Sequence, residues 1–425
     1  MIKRYEVKEI VDIWSQENKL STWKKVESSV TKSLEEEGIV PKGLSEKILD
    51  ANVTVKEVEA REKVTNHDLA SFVDILQDKV NEDSEWIHYG LTSSDIVDTS
   101  NSLLILESLD FLIGQVDELI STLKNLAIKE KDTKIIGRTH GVFAEVTFLG
   151  NIISNWLLEI HRNKERLERA KENISIGKLS GVVGNYTIIN SDIEKKSLET
   201  LNLKPELFAS QIVSRDRYAE VISCIGMLAS SYDRIAINLR GYQRSEVGEI
   251  HESFSSEQKG SSAMPHKKNP ITSERISGIS RILRGYVVSA LENISLWHER
   301  DISNSSVERI ILPDTFKLID FMTRDLINII NDLVINHENI ESNLNSAKTK
   351  LGSQKLLSLI VSKGNSRDEG YKFVQNITQN NFSIDAIIES TLSEFDDISK
   401  DEIENCFNLT TNIDSKIIEK KLKEL

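Results

Sequence analysis

The sequence predicts an all-α protein: a long central helical bundle flanked by two smaller helical regions. Three observations lead there. Proline removes a helix donor and clashes with the preceding turn. It occurs only five times in 425 residues, and none falls within 42–204 or 207–264. Apolar residues recur three or four apart at Leu103, Leu106, Leu109, Leu112, Val116, Leu119, Leu123 and Leu126, the spacing of one helix face sustained over many turns. Similar stripes cover about 142–174, 217–250, 272–296 and 315–340, each well beyond the roughly three turns of an average helix. Helices of that length pack nearly parallel or antiparallel in a bundle. The expected division is a mixed-length helical domain at 1–95, the bundle at 96–341, and a smaller helical domain at 342–425.

Composition excludes several classes. The chain is 28% charged and 39% hydrophobic, an ordinary globular make-up. No run of about 18 apolar residues offers a membrane span. The N-terminus is charged from its third residue and lacks a signal-peptide core, so the cytoplasm is the default location. Two cysteines, Cys224 and Cys406, with no C-x-x-C spacing argue against a disulfide framework or a thiolate zinc site. No H-E-x-x-H spacing occurs either, so no catalytic metal site is expected. The net charge of −14 repels phosphate backbones and argues against nucleic-acid binding. It would also repel an anionic metabolite, which therefore needs a local gathering of Lys, Arg and His.

One segment breaks the helical pattern. Residues 254–270 concentrate Ser, Gly and Lys and hold two of the five prolines. That composition reads as an exposed loop, and a loop of this length inside a compact helical protein is usually functional. A simple linker is the alternative, with Ser261 and Ser262 capping the helix that follows.

Within this loop, Gly260-Ser261-Ser262-Ala263-Met264-Pro265-His266-Lys267-Lys268-Asn269-Pro270 closely resembles the G-S-S-x-M-P-x-K-x-N-P signature of the fumarase/aspartase superfamily. Further segments resemble, in order and spacing, its adenylosuccinate lyase family. They are Arg4-Tyr5, Asn66-His67-Asp68, the run from His88 through Thr92 and Ser93 to Asp95, Gly137-Arg138-Thr139-His140-Gly141, and Trp297-His298-Glu299-Arg300-Asp301-Ile302-Ser303 with Ser305 and Arg309. The resemblance covers nearly the whole chain and weakens after about residue 345. It implies a fumarase/aspartase-like fold whose bundle is completed in a homotetramer, with sites shared between subunits. It also implies cofactor-free β-elimination of fumarate from adenylosuccinate, giving AMP, and from SAICAR, giving AICAR.

Such a reaction removes a weakly acidic proton beside a carboxylate, protonates the departing nitrogen and stabilises a dianionic intermediate. The resemblance assigns Ser261 as general base, with Lys267 able to stabilise its alkoxide, and His140 as general acid. Imidazole, with an ordinary pKa near ~6.5, suits the latter task. His67 and His88 match pocket histidines that hold phosphate or orient the acid. Arg4, Lys267, Arg275, Arg300 and Arg309 match substrate contacts, and an arginine fork suits carboxylate and phosphate. Tyr5, Asn66, Asp68, Thr92, Ser93, Gln211, Asn269 and Ser305 complete the expected binding set. His266 occupies a variable position of the signature and receives no role.

Three positions depart from the family pattern. Phe143 replaces a histidine, Val146 a proline, and Tyr218 a histidine after Arg-Asp-Arg. The rival readings are a sister fumarate-releasing lyase, such as one acting on argininosuccinate, and a non-catalytic structural homologue. A serine hydrolase is disfavoured because Ser261 does not sit in G-x-S-x-G.

Overall fold

The computed structural model describes residues 2–254, 257, 263–380, 383–410 and 415–424. Ser261, with Gly260 and Ser262, lies outside the described residues. Helices dominate. After a single 3-10 turn at Lys3–Tyr5 come α1 (Lys8–Ile13), α2 (Gln16–Glu36), α3 (Leu44–Asp50), α4 (Val55–Thr65) and α5 (Asp68–Val80). The long α6 (Ser93–Lys129) leads into a hairpin, β1 (Lys134–Thr139) and β2 (Val142–Phe148), and then α7 (Leu149–Ile174). Next are β3 (Ile176–Gly177), α8 (Ser191–Thr200), β4 (Lys204–Pro205), α9 (Arg215–Tyr242), β5 (Ile250–His251), α10 (Ile271–Glu292), α11 (Ser303–Asn331) and β6 (Val334–Ile335). The chain closes with α12 (His337–Ser346), α13 (Lys348–Leu351), α14 (Ser353–Ser362), α15 (Arg367–Gln379), α16 (Ile384–Glu394), α17 (Lys400–Cys406) and α18 (Ser415–Lys423). None of the described helices is long and apolar enough to cross a membrane.

Local chemistry explains the boundaries. The Ser15 hydroxyl accepts the Asn18 N–H at 3.1 Å and starts α2. Thr54 with Glu57, and Ser399 with Glu402, form reciprocal capping boxes that start α4 and α17. In α6 the stripe read from the sequence is largely the buried face: Leu109, Leu112, Val116, Leu119, Leu123 and Leu126 are all buried, while Leu103 and Leu106 are partly so.

Three boundaries differ from the periodicity reading. Residues 142–148, taken as the start of a helical stripe, form β2 instead. The turn before it, His140-Gly141, has both residues at positive φ (54° and 77°), the geometry of a two-residue hairpin. The Val-Phe-Ala-Glu-Val-Thr-Phe run suits a strand. The stripe at 217–250 ends as a helix at Tyr242, and Ile250–His251 pairs antiparallel with β6. α11 starts at Ser303 and passes through Pro313, rather than starting after it. An internal proline deletes one hydrogen bond, and burial of Ile311, Leu312 and Phe316 around it holds the helix together.

The chain forms two compact units. The first comprises Met1–Leu119, Ile160–Arg234 and Arg275–Leu326. Its core joins Trp23, Val26, Val30 and Leu34 of α2 to Ile48 of α3, Phe72 of α5 and Leu198 of α8. The second comprises Ile120–Glu159, Ile235–Glu274 and Ile327–Leu425. There α12 and α13 pack on the β1–β2 hairpin, and Leu356, Ile360, Ile387, Ile403 and Phe407 form a separate core.

Gly150, at the start of α7, donates its N–H to the Glu130 carbonyl at 3.0 Å. A Cβ there would stand 2.5 Å from the Ala127 carbonyl oxygen and 2.7 Å from the Lys131 Cα. Both neighbours are backbone and cannot swing aside. Gly150→Ala is therefore expected to destabilise the protein by about 1–3 kcal/mol. An unchanged midpoint in urea denaturation would show that the contact yields.

Candidate active site

The first unit contains a cavity of about 650 Å³ lined by residues from α2, α4, α5, α6 and α11 and from the connecting segments. Of the residues singled out from the sequence, His67, Asp68, Thr92, Ser93, Gln211, Arg300, Ser305 and Arg309 line it. Asn66, the chain neighbour of His67, is outside the lining and is the left-handed residue that ends α4, with φ 54°.

Hydrogen bonds connect these side chains. His67 caps α5, its Nδ1 accepting the Ala70 N–H, while its Nε2 lies 3.3 Å from the Ser93 hydroxyl. Arg300 donates to the Ser94 hydroxyl at 3.0 Å and to the Gln211 side-chain oxygen at 3.3 Å. Its Nε is buried without a hydrogen-bond partner among the described residues, an unspent donor on a cavity wall. Arg309 donates to the Asp68 carboxylate at 2.8 Å. Burial alone would raise the Asp68 carboxyl, but Lys19, Arg309 and the Leu69 N–H together bring it below its ordinary range.

The wall carrying Thr92, Ser93 and Ser94 is held from behind. Asp95 and Lys178, both with fully buried side chains, form an ion pair. Asp95 also accepts the Thr92 N–H at 2.7 Å and the Gly181 N–H at 3.3 Å, and Lys178 donates to the Gly181 carbonyl. The first turn of α6 is thereby pinned to the chain after β3. A second buried cluster supports the opposite segment. Arg215 sits between Asp98 and Glu308, and Asp98 accepts the Val213 N–H two residues beyond Gln211. Lys178 and Glu27 carried no motif signal, and Arg215 was visible only as the first residue of Arg-Asp-Arg. Glu27 was legible in principle, lying four residues after Trp23 and between Val26 and Val30 on the buried face of α2.

Not every expected residue reaches the cavity. His88 lies outside its lining and is paired at 2.6 Å with Glu27, whose side chain is 1% exposed. Tyr5 and Arg275 form a separate group: Tyr5 meets Phe321 edge-on, Arg275 lies over that ring at 5.2 Å, and Arg275 is ion-paired with Asp325 at 2.7 Å. Arg4 is exposed beside Tyr5.

His140, Lys267 and Asn269 belong to the second unit. His140 stands exposed at the tip of the β1–β2 hairpin, in the left-handed conformation. The hairpin is braced just before its turn: Arg138 holds Glu249 through two hydrogen bonds of 2.8 and 2.7 Å, and Asn343 donates to the same carboxylate. Lys267 is exposed in the signature loop. That loop is anchored by Gln243, whose side-chain amide donates to the Lys268 carbonyl at 3.0 Å.

Comparison with known proteins places this arrangement. A family model described as lyase matches residues 4–285. The adenylosuccinate lyase of Thermotoga maritima is 41% identical over 415 residues, covering 96% of each chain. That of Aquifex aeolicus is 43% identical over 404 residues, covering 94% of this chain and 92% of its own. The chain belongs to the adenylosuccinate lyase family. Among solved structures, a fumarate lyase from Mesorhizobium sp. BNC1 superposes with a TM-score of 0.90 at 17% identity over all of both chains. A 3-carboxy-cis,cis-muconate lactonizing enzyme from Pseudomonas putida does so at 0.88 and 20% identity, covering 99% of this chain and 97% of its own. These distant likenesses establish the fold, an all-α architecture.

Within the family, the three departures take unremarkable places. Phe143 lies under the Arg138 guanidinium at 5.4 Å, and Val146 is paired with Ile136 in the hairpin. Tyr218 is buried, donating its hydroxyl to the Asp98 carbonyl at 3.3 Å beneath Arg215. It thus completes the cluster behind Gln211.

The His88–Glu27 pair carries a pH signature. Burial disfavours the imidazolium, but the charge and hydrogen bond of Glu27, with Asp95 further off, raise the His88 pKa above its ordinary value. A raised histidine pKa stabilises the folded state fully below the unfolded pKa of about 6.5. That contribution disappears as pH rises through the folded pKa. The other Glu27 oxygen is buried without a partner among the described residues, so deprotonation of His88 strips a buried carboxylate of its counter-charge. Denaturation midpoints measured from pH 6 to 9 are expected to fall more steeply for the parent than for Glu27→Gln. Parallel curves would remove His88 as the source.

Proposed function

We propose that the protein catalyses β-elimination of fumarate from adenylosuccinate, forming AMP in purine nucleotide biosynthesis, and performs the same reaction on SAICAR to give AICAR. The single observation that carries this reading is family membership at 41–43% identity over at least 94% of the chain. The cavity is chemically suited to the substrate. Arg300 and Arg309 on its wall provide forked donors for carboxylate or phosphate, with hydroxyl and amide groups from Thr92, Ser93, Ser305 and Gln211 beside them.

In the proposed mechanism His140 protonates the departing purine nitrogen. The Arg138–Glu249 pair that braces its hairpin supports a positioned acid. Ser261 abstracts the proton beside the carboxylate, and Lys267 stabilises its alkoxide. Arg4, Tyr5, Arg275, Asn66, His67, Asp68, His88 and Asn269 contact or orient the substrate. No cofactor takes part. The working form is a homotetramer whose sites are shared between subunits. Exposed apolar side chains along the long helices support an assembled state: Met227 and Ile237 on α9, Ile282 and Val288 on α10, and Ile310 on α11.

The test is to mix purified protein with adenylosuccinate, follow the ultraviolet change as AMP forms and quantify fumarate. The parent is expected to turn over, and His140→Ala and Ser261→Ala are each expected to lose about 100-fold or more in kcat. Release of fumarate only from argininosuccinate or aspartate would replace the substrate. No fumarate from any of them would leave a non-catalytic homologue.

A further inference from the structure

We infer that Lys19 is an additional anion-binding residue of the cavity, taking a phosphate or carboxylate group of the ligand. The inference rests on the proposed function for the identity of the ligand, but not for the presence of the cation.

Lys19 is the fourth residue of α2 and lines the cavity with Asp68, Arg300 and Arg309. Its position follows from helix geometry. Trp23, one turn on, is almost wholly buried, and residues four apart share a face. The ammonium stands over the indole at 4.5 Å from the ring centroid, an arrangement that holds a lysine without consuming its donors.

Those donors are only loosely engaged. The Asp68 carboxylate forms an ion pair with the ammonium at 3.6 Å, longer than a good N–H···O distance. Asp68 meanwhile is already engaged, accepting from Arg309 at 2.8 Å and from the Leu69 N–H at 2.8 Å.

The charges around the cavity point the same way. Glu59, Glu62, Asp68 and Glu308 line it, and Glu308 shares the buried Arg215 with Asp98. The other three acids face Arg300, Arg309 and Lys19. Without Lys19 the lining would be net negative and would oppose an anionic ligand. Burial lowers the Lys19 pKa, against the pull of Asp68. An ammonium partly withdrawn from water and held only by a long ion pair is one that an incoming anion relieves.

The experiment is isothermal titration of the full-length protein and of Lys19→Met and Lys19→Arg with four probes: AMP, adenosine, inorganic phosphate and fumarate. Thermal melts check that the variants fold. Lys19→Met is expected to weaken AMP and phosphate roughly tenfold and to leave adenosine and fumarate unchanged, with Lys19→Arg close to the parent. Selective loss of fumarate affinity instead would support the same residue with the carboxylate as its partner.

Equal weakening of AMP and adenosine would mean that Lys19 only packs against Trp23, which overturns the inference. So would four unchanged affinities, a parent that binds none of the probes, or an Lys19→Arg variant as weak as Lys19→Met. A parent that binds phosphate through Lys19 yet releases no fumarate from adenylosuccinate would leave the inference standing and remove the functional reading.

Discussion

The Lys178–Asp95 ion pair, sealed from water behind the first turn of α6, is the interaction on which the cavity wall depends. Moving a lysine and an aspartate out of water costs several kcal/mol each, and their attraction alone does not reliably repay it. The balance is met by hydrogen bonds. Asp95 accepts two backbone N–H groups and Lys178 donates to the Gly181 carbonyl, so each charge is engaged on more than one side. A pair of packed aliphatic side chains could supply comparable stability. It could not aim the Thr92 N–H, and with it the Thr92–Ser94 segment, at a defined place on the cavity.

The same economy recurs. Arg215 is held between Asp98 and Glu308, and Asp98 in turn fixes the backbone beyond Gln211. Arg138 and Glu249 brace the hairpin that carries His140. In each case a buried charge pair locks a segment that carries candidate site residues, so less ordering is left for the moment of binding. This suits a strongly anionic chain that recognises an anionic substrate.

Legibility differed by the range of the interaction. α6 was readable almost to its ends because its buried stripe repeats every three or four residues over ten turns or so. The hairpin was not. An apolar-rich run of seven residues fits either period, and what makes β2 a strand is a ladder to β1 together with a turn built on His140 and Gly141. Pro313 misled in the other direction, since the cost of one lost hydrogen bond is outweighed by burial that only the folded helix reveals. Among candidate site residues, eight of the motif positions surround one cavity. Tyr5 and Arg275 gather instead around Phe321, and His88 turns to Glu27.

The sequence by itself determined the helical class, the family and the residue types available for the chemistry. Helical periodicity and contiguous motifs are local, and a local pattern survives in one dimension. Only the tertiary structure decided which charges are paired. Lys178 with Asp95, Arg215 with Glu308, and Lys19 with Asp68 only at 3.6 Å are relations between residues up to 93 positions apart. Whether a lysine is a strut or a free donor depends on which acceptors packing brings within about 3 Å of it, and no spacing along the chain encodes that distance.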